Sequence, residues 1–179
     1  MCNGKLTNHM VYLAGPIDRV EDCGRSWRDE LTPWLVNELG MKVLNPLNKP
    51  IDLGLEDDVA REEINALKRA GKYDDLRQKY SVIRNVDLRM TDLCSVLIAY
   101  IDLDVVMCGT WEEVFQANRC KKPVLCVVKQ GKCEAPNWLF FTIPHEHIFS
   151  SFAELKNYLL DVHTGVSTRH FKRWFFFNF

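Results

Sequence analysis

The stretch Ser95-Val96-Leu97-Ile98-Ala99-Tyr100-Ile101 runs through Asp102-Leu103 into Asp104-Val105-Val106-Met107-Cys108-Gly109-Thr110-Trp111-Glu112-Glu113, and its reading decides the fold. The first half is an apolar run of strand length with no polar alternation, the pattern of a strand covered on both faces. The second half reads as a turn that opens a helix, with Thr110 and Glu113 at the spacing of a capping box. A strand buried on both sides that feeds a helix is the repeating unit of a parallel α/β sheet.

The same alternation extends in both directions. Met10–Ala14 is a short apolar strand stopped by Gly15-Pro16, which cannot continue inside a sheet. From Ser26, the residues Trp27, Leu31, Trp34, Leu35 and Leu39 recur at helical spacing, and Gly40 stands where a helix ends. Met41 to Leu44 makes a second strand, closed by Asn45-Pro46. A helix is expected from Leu55 to Ala70, with Val59, Ile64 and Leu67 on one face and Gly71 as its stop. Tyr80 to Leu93 then carries helical spacing into the central apolar strand.

Downstream, a helix over Thr110 to Asn118 leads through Lys121-Lys122-Pro123 into the strand Val124 to Val128. His147 to Ser150 reads as a last short strand, and Ser151 to Leu160 as a last helix. This order predicts an α/β fold, a doubly wound and mainly parallel sheet with right-handed crossovers and helices on both faces. Residues 1–162 read as one domain, and 163–179 as a tail ending in Trp174-Phe175-Phe176-Phe177-Asn178-Phe179.

Composition narrows the classes of function. Of 179 residues, 47% are apolar and 26% charged, as in an ordinary globular domain. A net charge of -1 without clustered Lys and Arg argues against a nucleic acid polymer as partner and favours a small ligand. No apolar run is long enough to span a bilayer, and no signal segment opens the chain. Seven cysteines without paired spacing read as free thiols, so the cytoplasm is the expected compartment. His145-Glu146-His147 lacks a third ligand for a metal. Gly15 lacks the companion glycines of a dinucleotide fingerprint, and no phosphate-loop string is present, so no metal and no cofactor is expected.

In open parallel sheets, ligands sit beyond the carboxyl ends of the strands. Three segments converge there: Tyr12 to Pro16, Ile101 to Asp104, and the helix start at Thr110, with Asp87 approaching from the preceding helix. Each residue has a plainer role available. Spacing alone favours Glu113 as the second half of a cap, Tyr12 as a packing residue, and Asp87 as a solvated helix carboxylate. Asp102 and Asp104 fit turn formers that bond their own downstream backbone. Arg19, Arg25 and Arg28, in or just after the Gly15-Pro16 loop, are placed either to meet a phosphate or simply to be solvated.

Taken together, several strings resemble the nucleoside 2-deoxyribosyltransferase family, in particular its compact, phage-type members. They are Val11-Tyr12-Leu13-Ala14-Gly15-Pro16, the Trp27-Arg28 helix start, Val43-Leu44-Asn45-Pro46, Asp87 before the third strand, and Gly109-Thr110-x-x-Glu113-x-x-x-Ala117 followed by Lys122-Pro123-Val124. The resemblance implies a flavodoxin-like fold and cleavage of the N-glycosidic bond of a 2'-deoxyribonucleoside. Glu113 falls on the family nucleophile that forms a covalent deoxyribosyl-enzyme, Tyr12 on the tyrosine that holds it, and Asp87 on the aspartate that protonates the departing base. Such an Asp must be kept neutral by burial or a neighbouring carboxylate, for which Glu113 is the candidate, while the helix N-terminus is expected to keep Glu113 ionised.

Gly15, Pro16, Gly109 and Thr110 fall on the walls of the implied substrate site, with Arg19 and Arg25 near a phosphate. The family's sugar-binding aspartate falls near Met107, so Asp102 or Asp104 would have to replace it, and Ser95 stands where many relatives carry another Asp. The implied partners are a nucleoside or nucleotide and a free nucleobase, with a homo-oligomer in which the aromatic tail is buried. Two further functions fit the same residues: a 2'-deoxynucleoside 5'-monophosphate N-glycosidase in which water replaces the acceptor base, and a non-catalytic nucleotide-binding module.

Overall fold

The computed structural model describes residues 4–49, 58–166 and Trp174. Five strands, β1 (Met10–Ala14), β2 (Lys42–Leu44), β3 (Val96–Ile101), β4 (Val124–Val128) and β5 (Ile148–Phe149), form one sheet in the order β2-β1-β3-β4-β5. Every pairing is parallel, with Tyr12 in register with Leu44 on one side and Leu97 on the other. This is the flavodoxin-like α/β arrangement.

Helices α1 (Arg25–Leu39), α2 (Asp58–Arg69), α3 (Tyr73–Leu93), α4 (Cys108–Arg119), α5 (Asn137–Thr142) and α6 (Phe152–Thr164) complete it. Side chains alternate along each strand, so the sheet divides the core in two. Val11, Leu13, Val96, Ile98, Leu125 and Val127 pack with Leu31 and Leu35 of α1 and Leu155 and Leu159 of α6. Tyr12, Ala14, Leu97, Ala99, Ile101 and Cys126 face the opposite way, toward Met90 of α3 and Val114 and Ala117 of α4.

Several expected boundaries shift. Helix α3 begins at Tyr73 rather than Tyr80; its turns before Tyr80 bury no residue and so carry no core stripe to mark them. Helix α4 begins at Cys108, so Thr110 lies inside its first turn and is not its cap. The last helix continues to Thr164, past His163, and ends at Gly165 with φ 78°. Leu55, where the second helix was expected to start, lies outside the described residues; its described part begins at Asp58. That helix buries no residue in the core, and Val59 is 73% exposed.

Trp174 is fully buried in the α1/α6 side of the chain's own core, where its Nε1 donates to the Tyr158 hydroxyl at 3.0 Å. Burial pushes the Tyr158 phenol up to about 12. A partner subunit is therefore not required to cover this indole; residues 175–179 of the aromatic tail lie outside the described residues. Among the described residues, no helix is long and apolar enough to cross a membrane.

Candidate active site

A connection leaves β1 for β2 on one face of the sheet, and the chain returns from β2 to β3 on the other. The crevice opened by that reversal, beyond the carboxyl ends of β1 and β3, is the switch point of the fold. A cavity of about 590 Å³ occupies it. Gly15 to Arg19 line it from the end of β1, Val106 to Thr110 with Glu112 and Glu113 from α4, and Tyr80, Arg84 and Asp87 from α3. Ala60, Arg61 and Ile64 of α2 close another side, which explains the amphipathic pattern of a helix that buries nothing in the core.

Glu113 stands on the buried stripe of α4 formed by Thr110, Glu113, Val114 and Ala117, so its carboxylate points toward the sheet rather than into solvent. There Tyr12, on the same side of β1, donates its hydroxyl to Glu113 Oε1 at 2.7 Å. Burial raises the Tyr12 phenol well above its ordinary value, and the charges of Glu113 and Asp87 push it the same way. Tyr12 is thus a neutral donor that fixes the carboxylate. Glu113 is the sixth residue of α4, beyond the first turn in which the helix dipole acts, so the expected dipole contribution to its charge is weak.

Asp87 begins the buried stripe of α3 that continues through Met90 and Thr91. It forms an ion pair with Lys49, whose Nζ lies 2.9 Å from Asp87 Oδ1. The side chain of Lys49 is wholly buried. Sequence reading missed this residue, because a single lysine in a loop after β2 has no spacing that ties it to a helix 38 positions away.

The backbone around the cavity is held by Arg28, which is neither solvated nor directed at a ligand. It is fully buried and donates to the carbonyls of Leu13 at 3.3 Å, Gly24 at 2.8 Å and Gly15 at 2.9 Å. Its guanidinium also stacks on Trp27, 4.4 Å from the ring centre. Asp22 caps the start of α1, accepting from the backbone N–H groups of Gly24 and Ser26 at 2.9 Å each. Gly24 (φ 69°) is required here, since a Cβ would meet the Pro16 carbonyl oxygen at 2.3 Å.

Of the other expected site residues, Gly15, Pro16, Arg19, Gly109 and Thr110 line the cavity. Arg25 is exposed at the start of α1 and does not line it. Asp102 and Asp104 also stand outside its lining. Asp102 Oδ2 pairs with Lys129 at 2.8 Å, and its Oδ1 accepts from Gln130 at 3.0 Å and from the Asp104 N–H at 3.1 Å, the turn-forming arrangement. Burial works against the charge of Asp102, yet the Lys129 and Gln130 bonds outweigh it and hold the carboxyl below its usual range.

Met107 is in the cavity wall itself, its sulfur 3.4 Å from the Asp102 N–H. Among the described residues no carboxylate replaces it there; the acids on the cavity are Asp18, Asp87, Glu112 and Glu113. Arg84 spans the mouth from α3 and binds both oxygens of Glu112, with Nε to Oε2 at 2.9 Å.

The fold is shared with solved enzymes. A 2-deoxyribosyltransferase from Bacillus psychrosaccharolyticus matches with TM-score 0.55 at 19% identity, over 83% of this chain and 91% of that one. A 2-deoxyribosyltransferase from Leishmania mexicana matches with TM-score 0.56 at 17% identity, over 87% of this chain and 99% of that one. At such identities the likeness establishes the fold. No protein-family model matches the chain, and no curated protein matches its sequence.

Proposed function

We propose that this chain is a nucleoside 2-deoxyribosyltransferase that moves a 2'-deoxyribosyl group between nucleobases through a covalent intermediate on Glu113. The observation that carries the reading is the 2.7 Å bond from Tyr12 to Glu113. A carboxylate drawn onto the core-facing stripe of a helix, gripped by a neutral buried phenol and opening onto a cavity at the switch point, is arranged as a nucleophile. Nothing about capping requires that arrangement.

In the first step a Glu113 oxygen bonds to C1' as the C1'–N bond breaks, with the electron pair leaving on the base. Asp87, on the same cavity, serves the base. In the second step an incoming base attacks C1' from the opposite side and regenerates the carboxylate, with net retention. Gly109 at the first turn of α4 lets a sugar approach closely, and Arg84 with Glu112 borders the entrance.

One observation favours a second reading, a 2'-deoxynucleoside 5'-monophosphate N-glycosidase. Arg19 and Arg61 border the cavity and continue into an adjoining depression of about 410 Å³ that Lys68 and Arg69 also line. Cations in that position suit a phosphate.

The deciding experiment incubates the protein with each deoxynucleoside and its 5'-monophosphate, with and without a second free base, and separates the products by chromatography. Base exchange is the expected outcome. Free base released only from monophosphates moves the assignment to the glycosidase, and ligand binding without turnover moves it to a binding module.

A further inference from the structure

Lys49 Nζ lies 2.9 Å from Asp87 Oδ1, and its side chain has no contact with solvent. A buried ion pair is seldom more stable than the apolar residues that could replace it, so stability alone gives little reason for this one. Its two halves are unequal. The Asp87 side chain is 12% exposed and lines the cavity, whereas the ammonium is shut away behind it. An opposite charge at this distance favours a carboxylate over a neutral acid. A carboxylate has no proton of its own to give a departing base.

We infer that Lys49 supplies that proton by way of Asp87. The inference rests on the reading of this cavity as a site of N-glycosidic cleavage. As the C1'–N bond breaks, its electron pair stays on the base and the new bond forms between C1' and a Glu113 oxygen. The base nitrogen takes a proton from the Asp87 carboxyl, and Asp87 takes one from Lys49 Nζ. The step ends with a glutamyl ester, a neutral base, a neutral Lys49 amine and an Asp87 carboxylate. When a new base or water attacks C1', the proton it sheds returns through Asp87 and restores the ammonium. Lys49 therefore acts on the base only through Asp87, as a positioning and proton-storing residue.

Among the described residues, the other ionisable groups on the cavity with Asp87 or beside it are Tyr12 on β1 with Arg28 of α1 behind it, Asp18 and Arg19 after β1, Cys108, Glu112 and Glu113 on α4, Tyr80 and Arg84 on α3, and Arg61 on α2. Tyr12 is raised well above its ordinary value, chiefly by burial, and holds its proton. The arginines do not release theirs. Among the described residues, Lys49 is the lysine paired with Asp87.

The test compares a 2'-deoxyribonucleoside with 4-nitrophenyl 2-deoxyriboside, whose leaving group departs without a proton. Lys49→Arg keeps the charge but cannot donate. It is expected to lower kcat for the nucleoside by about 10²-fold or more, the size of a general-acid contribution, and to leave kcat for the nitrophenyl substrate within about tenfold. Equal losses on both substrates, or an unchanged nucleoside rate in Lys49→Arg, overturn the inference.

The wild-type pH profile gives a check that needs no variant to fold. An alkaline fall in kcat is expected with the nucleoside and not with the nitrophenyl substrate; a fall shared by both, or absent from both, overturns the inference. A wild-type protein that turns over neither substrate refutes the glycosidic reading itself.

Discussion

The Tyr12 hydroxyl and the Glu113 carboxylate, 101 positions apart in sequence, meet at 2.7 Å and join the interior strand β1 to the buried stripe of α4. A hydrogen bond to a charged group contributes about 1.5–3 kcal/mol. Tyr12→Phe keeps the ring volume and deletes this donor, so kcat is expected to fall by about 10- to 100-fold, the kinetic equivalent of that energy. Steady-state kinetics with a deoxynucleoside checks it. An unchanged kcat would mean that the phenol only packs.

Glu113→Gln separates the nucleophile from a structural polar group. The carboxamide oxygen can still accept from Tyr12, and the side chain has nearly the same volume, so the melting temperature should change by only a few degrees. Activity should drop by about 10³-fold or more, because a carboxamide does not form the glycosyl ester. Mass spectrometry of acid-quenched reactions should detect a deoxyribosyl adduct in the wild type and none in the variant. Retained turnover in Glu113→Gln would sink the assignment.

How much of this was legible in the residues depends on the kind of pattern. Apolar runs such as Val96–Ile101 and Val124–Val128 declare strands buried on both faces, and their alternation with helices dictates a parallel sheet. The same runs are silent on which face each side chain takes, so the meeting of Tyr12 with Glu113 followed only from matching separate strings to a family. Helical periodicity placed Val59, Ile64 and Leu67 on one face of α2, but periodicity does not distinguish a core from a cavity: Ile64 faces the cavity and Val59 is exposed. The capping reading failed because α4 starts two residues before Thr110. Lys49 carries no local signal, since its partner is set by the fold.

Acid should loosen the loop that borders the cavity. The Asp22 carboxyl is held at about 2, chiefly by the Ser26 hydroxyl and the Ser26 backbone N–H. An unfolded Asp titrates near ~3.9, so the folded state binds fewer protons between the two values. The contribution is therefore complete above about pH 4 and is lost as pH falls through 2. Asp22→Ala should cost about 1 kcal/mol near neutral pH, the usual size for a lost cap at an exposed site. Thermal melts of wild type and variant should differ at pH 7 and converge toward pH 2; a constant difference would exclude the carboxylate as the cause.

Two cavity glycines should respond oppositely to an added methyl group. At Gly15 a Cβ would stand 2.8 Å from Trp27 Cζ2 and 3.3 Å from the Tyr100 carbonyl oxygen, so the loop between β1 and α1 must shift. Gly15→Ala should lower the melting temperature, with a cost of about 1–3 kcal/mol typical of overpacking. At Gly109 nothing lies within 4 Å of the added carbon, which would project from the first turn of α4 beside the cavity. Gly109→Ala should leave the melting temperature within a few degrees, because a helix gains from Ala over Gly. If the sugar approaches this backbone, KM for the deoxynucleoside should rise by about tenfold, the cost of losing roughly 1.4 kcal/mol of contact. A stable Gly109→Ala with an unaltered KM would show that the substrate does not come this close to the first turn of α4.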